Sequence, residues 1–316
     1  MTLSRWTDNS ENSMDEILEN MLNYENWLTR DLDPLTEDYL RYQVDKVFDE
    51  NKTVTLNNQE ITYNYIRYEY ERIRPGEENN EMRSLRVYPL AGFILVYSDG
   101  TSTQYITNRS GGDNTKTILR KLNNYSKRLE IIPSPFNITE DVFTWMIYRV
   151  LNYGENSLED DTHLSLKKII GFKGATQDRL AEVRGTGNKI MNLLSTLAFL
   201  FENEHVSFIK PVVEYQHETI EISLDLYGTI DIDFESYTGN YIMHQEEEKN
   251  SLITLITFLE IIPKILTRYR NDLDNEEWSI DEKVNFFTGI GADIQVKIKE
   301  KISAAAAEAA ASKENE

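Results

Sequence analysis

The chain contains no cysteine, which excludes structural disulfides, thiolate metal sites, iron–sulfur clusters and a cysteine nucleophile, and suits a reducing cytoplasm. Histidine is scarce as well. The four residues His163, His205, His217 and His244 fall at no metal-ligand spacing such as His-x-x-x-His, so neither a metal site nor a cofactor is expected, and His205 and His217 are expected at the surface. Long hydrophobic runs are missing too: the most apolar stretch, Leu252 to Leu266, is interrupted by Glu260, Pro263 and Lys264, and the opening Met-Thr-Leu-Ser-Arg-Trp lacks the apolar centre of a signal peptide. A cytoplasmic protein without a membrane span is therefore expected. No Gly-x-Ser-x-Gly elbow and no protein-kinase motif set occurs, so no catalytic residue is assigned and a non-enzymatic protein is expected.

Positive charge is in short supply. Against 54 Asp and Glu there are 33 Lys and Arg, giving a net charge of −21 in 316 residues. Such a surface repels phosphate, so any contact with nucleic acid must be local. Two stretches run against this background. Lys167 to Lys189 holds six basic residues and two acids; Arg109 to Arg128 holds six basic residues and Asp113 alone.

What is present is enough for a proper core: 40% of residues are hydrophobic, and the length suits one large domain or two ordinary ones. The first fifty residues read as an acidic helical hairpin. Ser13 and Glu16 form a capping-box pattern ahead of Ile17, Met21, Tyr24 and Leu28, and Pro34 and Thr36 open a second helix with Leu40, Val44, Val47 and Phe48 on one side. From Lys52 the period changes to two. Ile61 to Tyr70 reads as a long strand with Tyr63 and Tyr65 on one face and Tyr68 and Tyr70 on the other; Leu85–Tyr97 and Thr103–Thr107 form a hairpin closed by Ser98-Asp99-Gly100-Thr101. A basic helix follows through Ile118, Leu119 and Leu122.

Pro133 and Pro135 mark the expected domain boundary. Beyond it the sequence predicts a helix over 139–153, a strand over 164–172, an apolar helix through Ile190 and Phe201, and a three-strand meander over 206–215, 219–226 and 229–234. Helices then run to the end, with a kink or stop at Pro263. The fold expected is α+β, with two antiparallel-sheet subdomains, an N-terminal helical hairpin and C-terminal helices. Its parts are an acidic arm over 1–50, subdomains over 51–133 and 134–302, and an alanine-rich tail over 303–316.

The segment Arg184-Gly185-Thr186-Gly187-Asn188-Lys189 is expected as a loop between a strand and a helix N-terminus, where backbone N–H groups, a hydroxyl and a lysine suit an anion. It matches neither the Walker A pattern nor Gly-x-Gly-x-x-Gly. With Lys167, Lys168, Lys173 and Arg179 nearby, the candidate phosphate or nucleic-acid site comprises Lys167, Lys168, Lys173, Arg179, Arg184, Thr186, Asn188 and Lys189, and tyrosines beside it would allow base stacking. The order of helix 188–203, three strands and helix 249–270 resembles the start of the PD-(D/E)xK nuclease core. That resemblance implies carboxylates at Asp225, Asp231 and Asp233, but the motif's lysine is missing.

The function expected is that of a non-enzymatic binding or regulatory protein, in contact with a protein partner or a second copy of itself. Binding of nucleic acid through 167–189 is the alternative, and a degenerate nuclease the third reading. Enrichment in Asn, Ile, Tyr, Glu and Lys points to an AT-rich coding genome, bacterial or phage, and hence to a setting in phage–host conflict.

Overall fold

The computed structural model describes every residue except 128, 155–157, 159–162, 176–181, 188–195, 197, 199–204, 227 and 315–316. It is α+β, with twelve strands among the described residues, and it divides into two units. The first holds Met1–Phe136, Tyr227–Ile232 and Tyr241–Glu260; the second holds Asn137–Leu226, Asp233–Asn240 and Ile261–Glu316.

In the first unit the strands are β1 (Thr2–Asp8), β2 (Tyr42–Lys46), β3 (Lys52–Leu56), β4 (Gln59–Ile73), β5 (Val87–Ser98), β6 (Thr103–Thr107) and β7 (Ile131–Pro133). They run in the order β2-β4-β5-β6-β1, with β3 also on β4 and β7 also on β1, and these pairings are antiparallel. The fifteen-residue β4 organises the sheet, carrying β3 along its first half and β2 along its second. Asn57 and Asn58, with φ of 49° and 58°, turn β3 into β4 because Asn tolerates the left-handed region. Gly100, with φ of 86°, does the same between β5 and β6.

The helices of this unit are α1 (Met14–Leu22), the single turn α2 (Arg83–Arg86) and α3 (Asp113–Leu122). Ser13 caps α1 through the expected reciprocal box with Glu16. Met14, Ile17, Leu18 and Met21 of α1 and Ile118, Leu119 and Leu122 of α3 bury against Ile66, Tyr68, Ile94 and Val96 of the sheet. The alternation along β4 is as expected: Tyr68 joins this core, while Tyr63 and Tyr65 pack with Phe48 and Phe93.

The expected helical hairpin is not formed. Residues 42–46 are strand β2, and residues 2–8 form strand β1. The reason is a period both structures share: Leu40, Val44 and Phe48 recur every four residues, which places them on one face of a helix or of a strand. Trp6, Met14, Ile17 and Met21 lie in the core of the unit, so residues 1–50 are structural and do not form a separate arm.

In the second unit β8 (Leu164–Ala175), β9 (Glu182–Thr186), β10 (His205–Tyr215) and β11 (Glu218–Asp225) join β12 (Ile230–Thr238), which begins in the first unit, in the order β12-β11-β10-β8-β9. The meander is as the sequence predicts. Helix α4 (Glu140–Tyr153), ended by Gly154 with φ of 57°, buries Phe143, Trp145, Met146 and Ile147. Register shifts interrupt the β8–β10 ladder, one of them at Pro211, where a proline lacks the N–H the ladder needs.

Toward the C-terminus come α5 (Glu246–Ile256), a π-helical turn at Thr257–Ile261, α6 (Ile262–Asp274) and α7 (Ile280–Glu314). The interruption expected at Pro263 lies just before it, as the π-helical turn Thr257–Ile261, and Pro263 itself sits in the first turn of α6, where its missing N–H costs no helix bond. The stretch Glu246–Asp274 is long and apolar enough to cross a membrane by length and composition, and 72% of its apolar window is buried within the protein, as in a core helix.

Candidate functional site

The second basic stretch, 109–127 among the described residues, builds the more distinctive site. Strand β4 leaves the core of the first unit through Tyr68, Tyr70 and Arg72, all on the side of α1 and α3. Tyr68 is buried, Tyr70 half-buried and Arg72 exposed. Register places Tyr42 of β2 opposite Tyr70, and the two rings stack with centroids 5.4 Å apart. Arg109 closes the row. Its Nε donates to the Tyr68 hydroxyl at 2.6 Å, and its guanidinium lies 5.7 and 5.9 Å from the Tyr68 and Tyr70 ring centres, a cation–π arrangement. Gly92, opposite Tyr68 on β5, is required by this packing, because a Cβ there would overlap the Tyr68 hydroxyl and the Asn108 carboxamide.

Beyond the tyrosines a cleft of about 150 Å³ opens between β2, β4, α3 and the loop before β2. Leu28, Leu40 and Ile118 are its apolar lining. Asn114, Thr117 and Lys121 come from α3, and Arg30, Arg41 and Arg72 come from the loop and the strands; the carboxylates are Asp31 and Glu71. Glu71 is already engaged: Arg83 grips it with two bonds of 3.1 and 2.8 Å, and the Arg41 backbone N–H donates to it at 2.8 Å. The Arg83 contact holds its carboxyl below the usual carboxylate range. Arg30 lies over the Tyr39 ring at 5.3 Å, and Arg41 is 3.5 Å from Glu69. Arg72 and Lys121 have no ion-pair partner among the described residues. Cations therefore outnumber available carboxylates here, within a strongly acidic protein.

The walls are held firmly. Asp33 and Arg86, both fully buried, form a bidentate pair with two bonds of 2.8 Å, which anchors the loop carrying Arg30 and Asp31 to the turn before β5. The Arg86 hydrogen bonds hold the Asp33 carboxyl below its usual range. Burial, and then the neighbouring Tyr70 and Tyr68 hydroxyls, push the Tyr42 hydroxyl up, so at neutral pH it is a protonated donor. Donors, rings and cations in one open cleft suit an anion bearing a flat group.

The residues expected to form the anion site lie in the second unit and behave differently. Arg179, Asn188 and Lys189 fall outside the described residues. Lys167, Lys168, Lys173, Arg184 and Thr186 are placed in strands: Lys173 sits opposite Arg184, and Thr186 opposite Gly171. Residues 184–186 are therefore β9, not the expected loop, and the Gly187 backbone N–H donates to the Ile170 carbonyl at 2.8 Å. That N–H is already used by the ladder and does not cradle an anion. Lys167 pairs with Glu214 at 2.6 Å; on the same sheet Lys210 reaches Glu221 at 2.8 Å and Asp233 at 3.6 Å. A strand brings acids of adjacent strands directly beside its lysines, and Lys167 is neutralised in this way where it lies.

The carboxylates of the nuclease resemblance have structural partners. Asp233 lies near Lys210 and accepts from the Glu235 and Ser236 backbones, and Asp231 lies 4.0 Å from the N-terminal amine. Among the described residues no group of three His, Asp or Glu side chains is placed to hold a metal.

A larger cleft of about 630 Å³ lies in the second unit, lined by Glu140, Asp141, His205, Ile280, Lys283 and Phe287 among others. His205 is only half-exposed, and its Nδ1 is 2.8 Å from Glu140. Asp141 accepts from Tyr269 at 2.5 Å, from Trp278 at 3.1 Å and from Lys283, which ties α4 to α6 and α7. This carboxylate is consumed by the fold. The run Glu246–Glu248 forms the first turn of α5, where Glu247 pairs with Arg67 and Glu248 with Lys52.

The charge of 109–128 is legible in the sequence, but its tyrosine neighbours are not, because Tyr42 reads there as part of a helix. No protein-family model and no curated protein sequence matches this chain.

Proposed function

We propose that the chain is a non-enzymatic binding protein of the cytoplasm that acts through macromolecular contacts, and that the cleft of the first unit receives an anionic partner. The observation that carries this reading is the surplus of cations beside the Tyr42–Tyr70 stack. Local positive charge of this kind attracts phosphate even where the whole surface does not. Fluorescence anisotropy of labelled oligonucleotides with the full chain, at low and moderate salt, tests it. Salt-sensitive binding that falls in the double variant Arg72→Glu/Lys121→Glu supports it. Absence of binding at low salt, where the attraction is strongest, overturns it.

A second reading rests on α7. Ile280, Val284, Ile298 and Ile302 are 79, 58, 43 and 65% exposed, and with Phe287 and Ile294 they recur on one side of a 35-residue helix. An apolar row facing water favours a protein contact, and a second copy is the occupant that charge allows. In a parallel pair the edge carrying Lys297 and Lys301 meets an edge carrying Asp281, Thr288, Gln295 and Lys299, whose charges cancel. Sedimentation equilibrium of the wild type and of Val284→Glu/Ile298→Glu checks this. A monomer at all concentrations rejects it.

A further inference from the structure

We infer that the first-unit cleft seats one unpaired nucleobase of a single-stranded nucleic acid, with the flanking phosphates on Arg30, Arg72 and Lys121; this rests on the anionic-partner reading above. A cleft of about 150 Å³ has room for one heterocycle and none for a base pair. Its surfaces match the parts of a nucleotide. Leu28, Leu40 and Ile118 offer an apolar lining, and the Tyr42 and Tyr70 rings stand beside it. Asn114, Thr117 and Asp31 supply the amide, hydroxyl and carboxylate that base edges recognise.

The cations argue for a strand and against a lone mononucleotide. Arg30 comes from the loop, Arg72 from the end of β4 and Lys121 from the last turn of α3. Three cations on three separate elements exceed what one phosphate requires, whereas consecutive phosphates of an extended strand reach several of them. Duplex DNA keeps its bases stacked and paired, and so offers the cleft only its backbone.

The test uses the full chain and four probes: a labelled single strand, the same strand made abasic throughout, a duplex, and a nucleoside monophosphate as competitor. Stacking and edge contacts to a base are worth roughly 1–3 kcal/mol, so the single strand is expected to bind about tenfold or more tighter than the abasic strand or the duplex. Thr117→Trp, at an exposed position of α3, fills the cleft and is expected to remove that preference while leaving the salt-sensitive attraction; circular dichroism checks its fold. Equal affinity for the base-bearing and abasic strands overturns the base subsite and leaves the anionic-partner reading standing. Competition by the monophosphate at concentrations as low as those of the strand overturns the strand. Failure of every probe at low salt overturns both readings.

Discussion

Residues 109–127 and 167–187 begin with similar excesses of cations and end in different surroundings. In the first unit the stretch becomes a helix. Its 3.6-residue period turns Ile118, Leu119 and Leu122 into the core and leaves Lys121 at a cleft wall, away from any sheet neighbour that could neutralise it. In the second unit its described residues up to Thr186 lie in β8 and β9, and an acid of the adjacent strand β10 lies within reach: Glu214 takes Lys167. Charge counted along a chain thus says little about charge presented to a partner, because secondary structure decides which neighbours each cation meets.

The contrast is broken most severely at its foundation. Arg86→Met leaves Asp33 buried without its partner, and is expected to lower the Tm of the first unit by roughly 10 °C and to release the loop that carries Arg30. A melt unchanged within error would show that the pair does not anchor this wall. Next in size is the charge comparison itself. Arg72→Glu/Lys121→Glu should weaken binding of a single strand roughly a hundredfold at low salt and reduce the salt slope by about two, whereas Lys173→Glu/Arg184→Glu should cost about threefold or less. Equal losses in the two variants would erase the distinction between the stretches.

Gly92→Ala is expected to cost about 1–3 kcal/mol, since its methyl displaces the Tyr68 hydroxyl and with it the bond to Arg109. Chemical denaturation measures this, and Tyr68→Phe in the same background should recover part of the loss by removing the colliding hydroxyl. The smallest effects lie in pH. Asp33 and Glu71 are held below their usual range by arginine contacts. Their contribution is therefore complete above the unfolded carboxylate pKa of about 4 and is lost as pH falls through the lower folded values. Lys210 behaves oppositely. Burial works against its charge, but the Glu221 and Asp233 carboxylates hold it above its usual value, so its contribution is complete below about 10.5 and is lost as pH rises further. The two ion pairs of Lys210 are partly solvated, and Lys210→Met should cost under about 1 kcal/mol. Hydrogen exchange across the pH range should show the first unit loosening at the acid end before the second.

Several elements were legible because local rules specify them. The Ser13–Glu16 box starts α1, Ser98-Asp99-Gly100-Thr101 closes β5 on β6, and the two-residue alternation of Tyr63, Tyr65, Tyr68 and Tyr70 assigns their faces. Others were not. A four-residue spacing at Leu40, Val44 and Phe48 is common to helix and strand, and only the pairing of Val44 with Tyr68 settles it. Arg184 to Thr186 reads as a glycine loop until β8 supplies a ladder for it.

By itself the sequence determined the class of fold, the acidic surface, the exclusion of thiol chemistry and the two places where cations gather, since composition, capping and short-range periodicity need no partner to be read. Only the tertiary structure decided which of those cations remain available to a ligand. Tyr42, Tyr70, Arg72, Arg109 and Lys121 are brought together from β2, β4, the loop after β6 and α3, and such neighbours are set by strand register and helix packing across up to about eighty residues of chain, distances over which no local pattern in the sequence carries information.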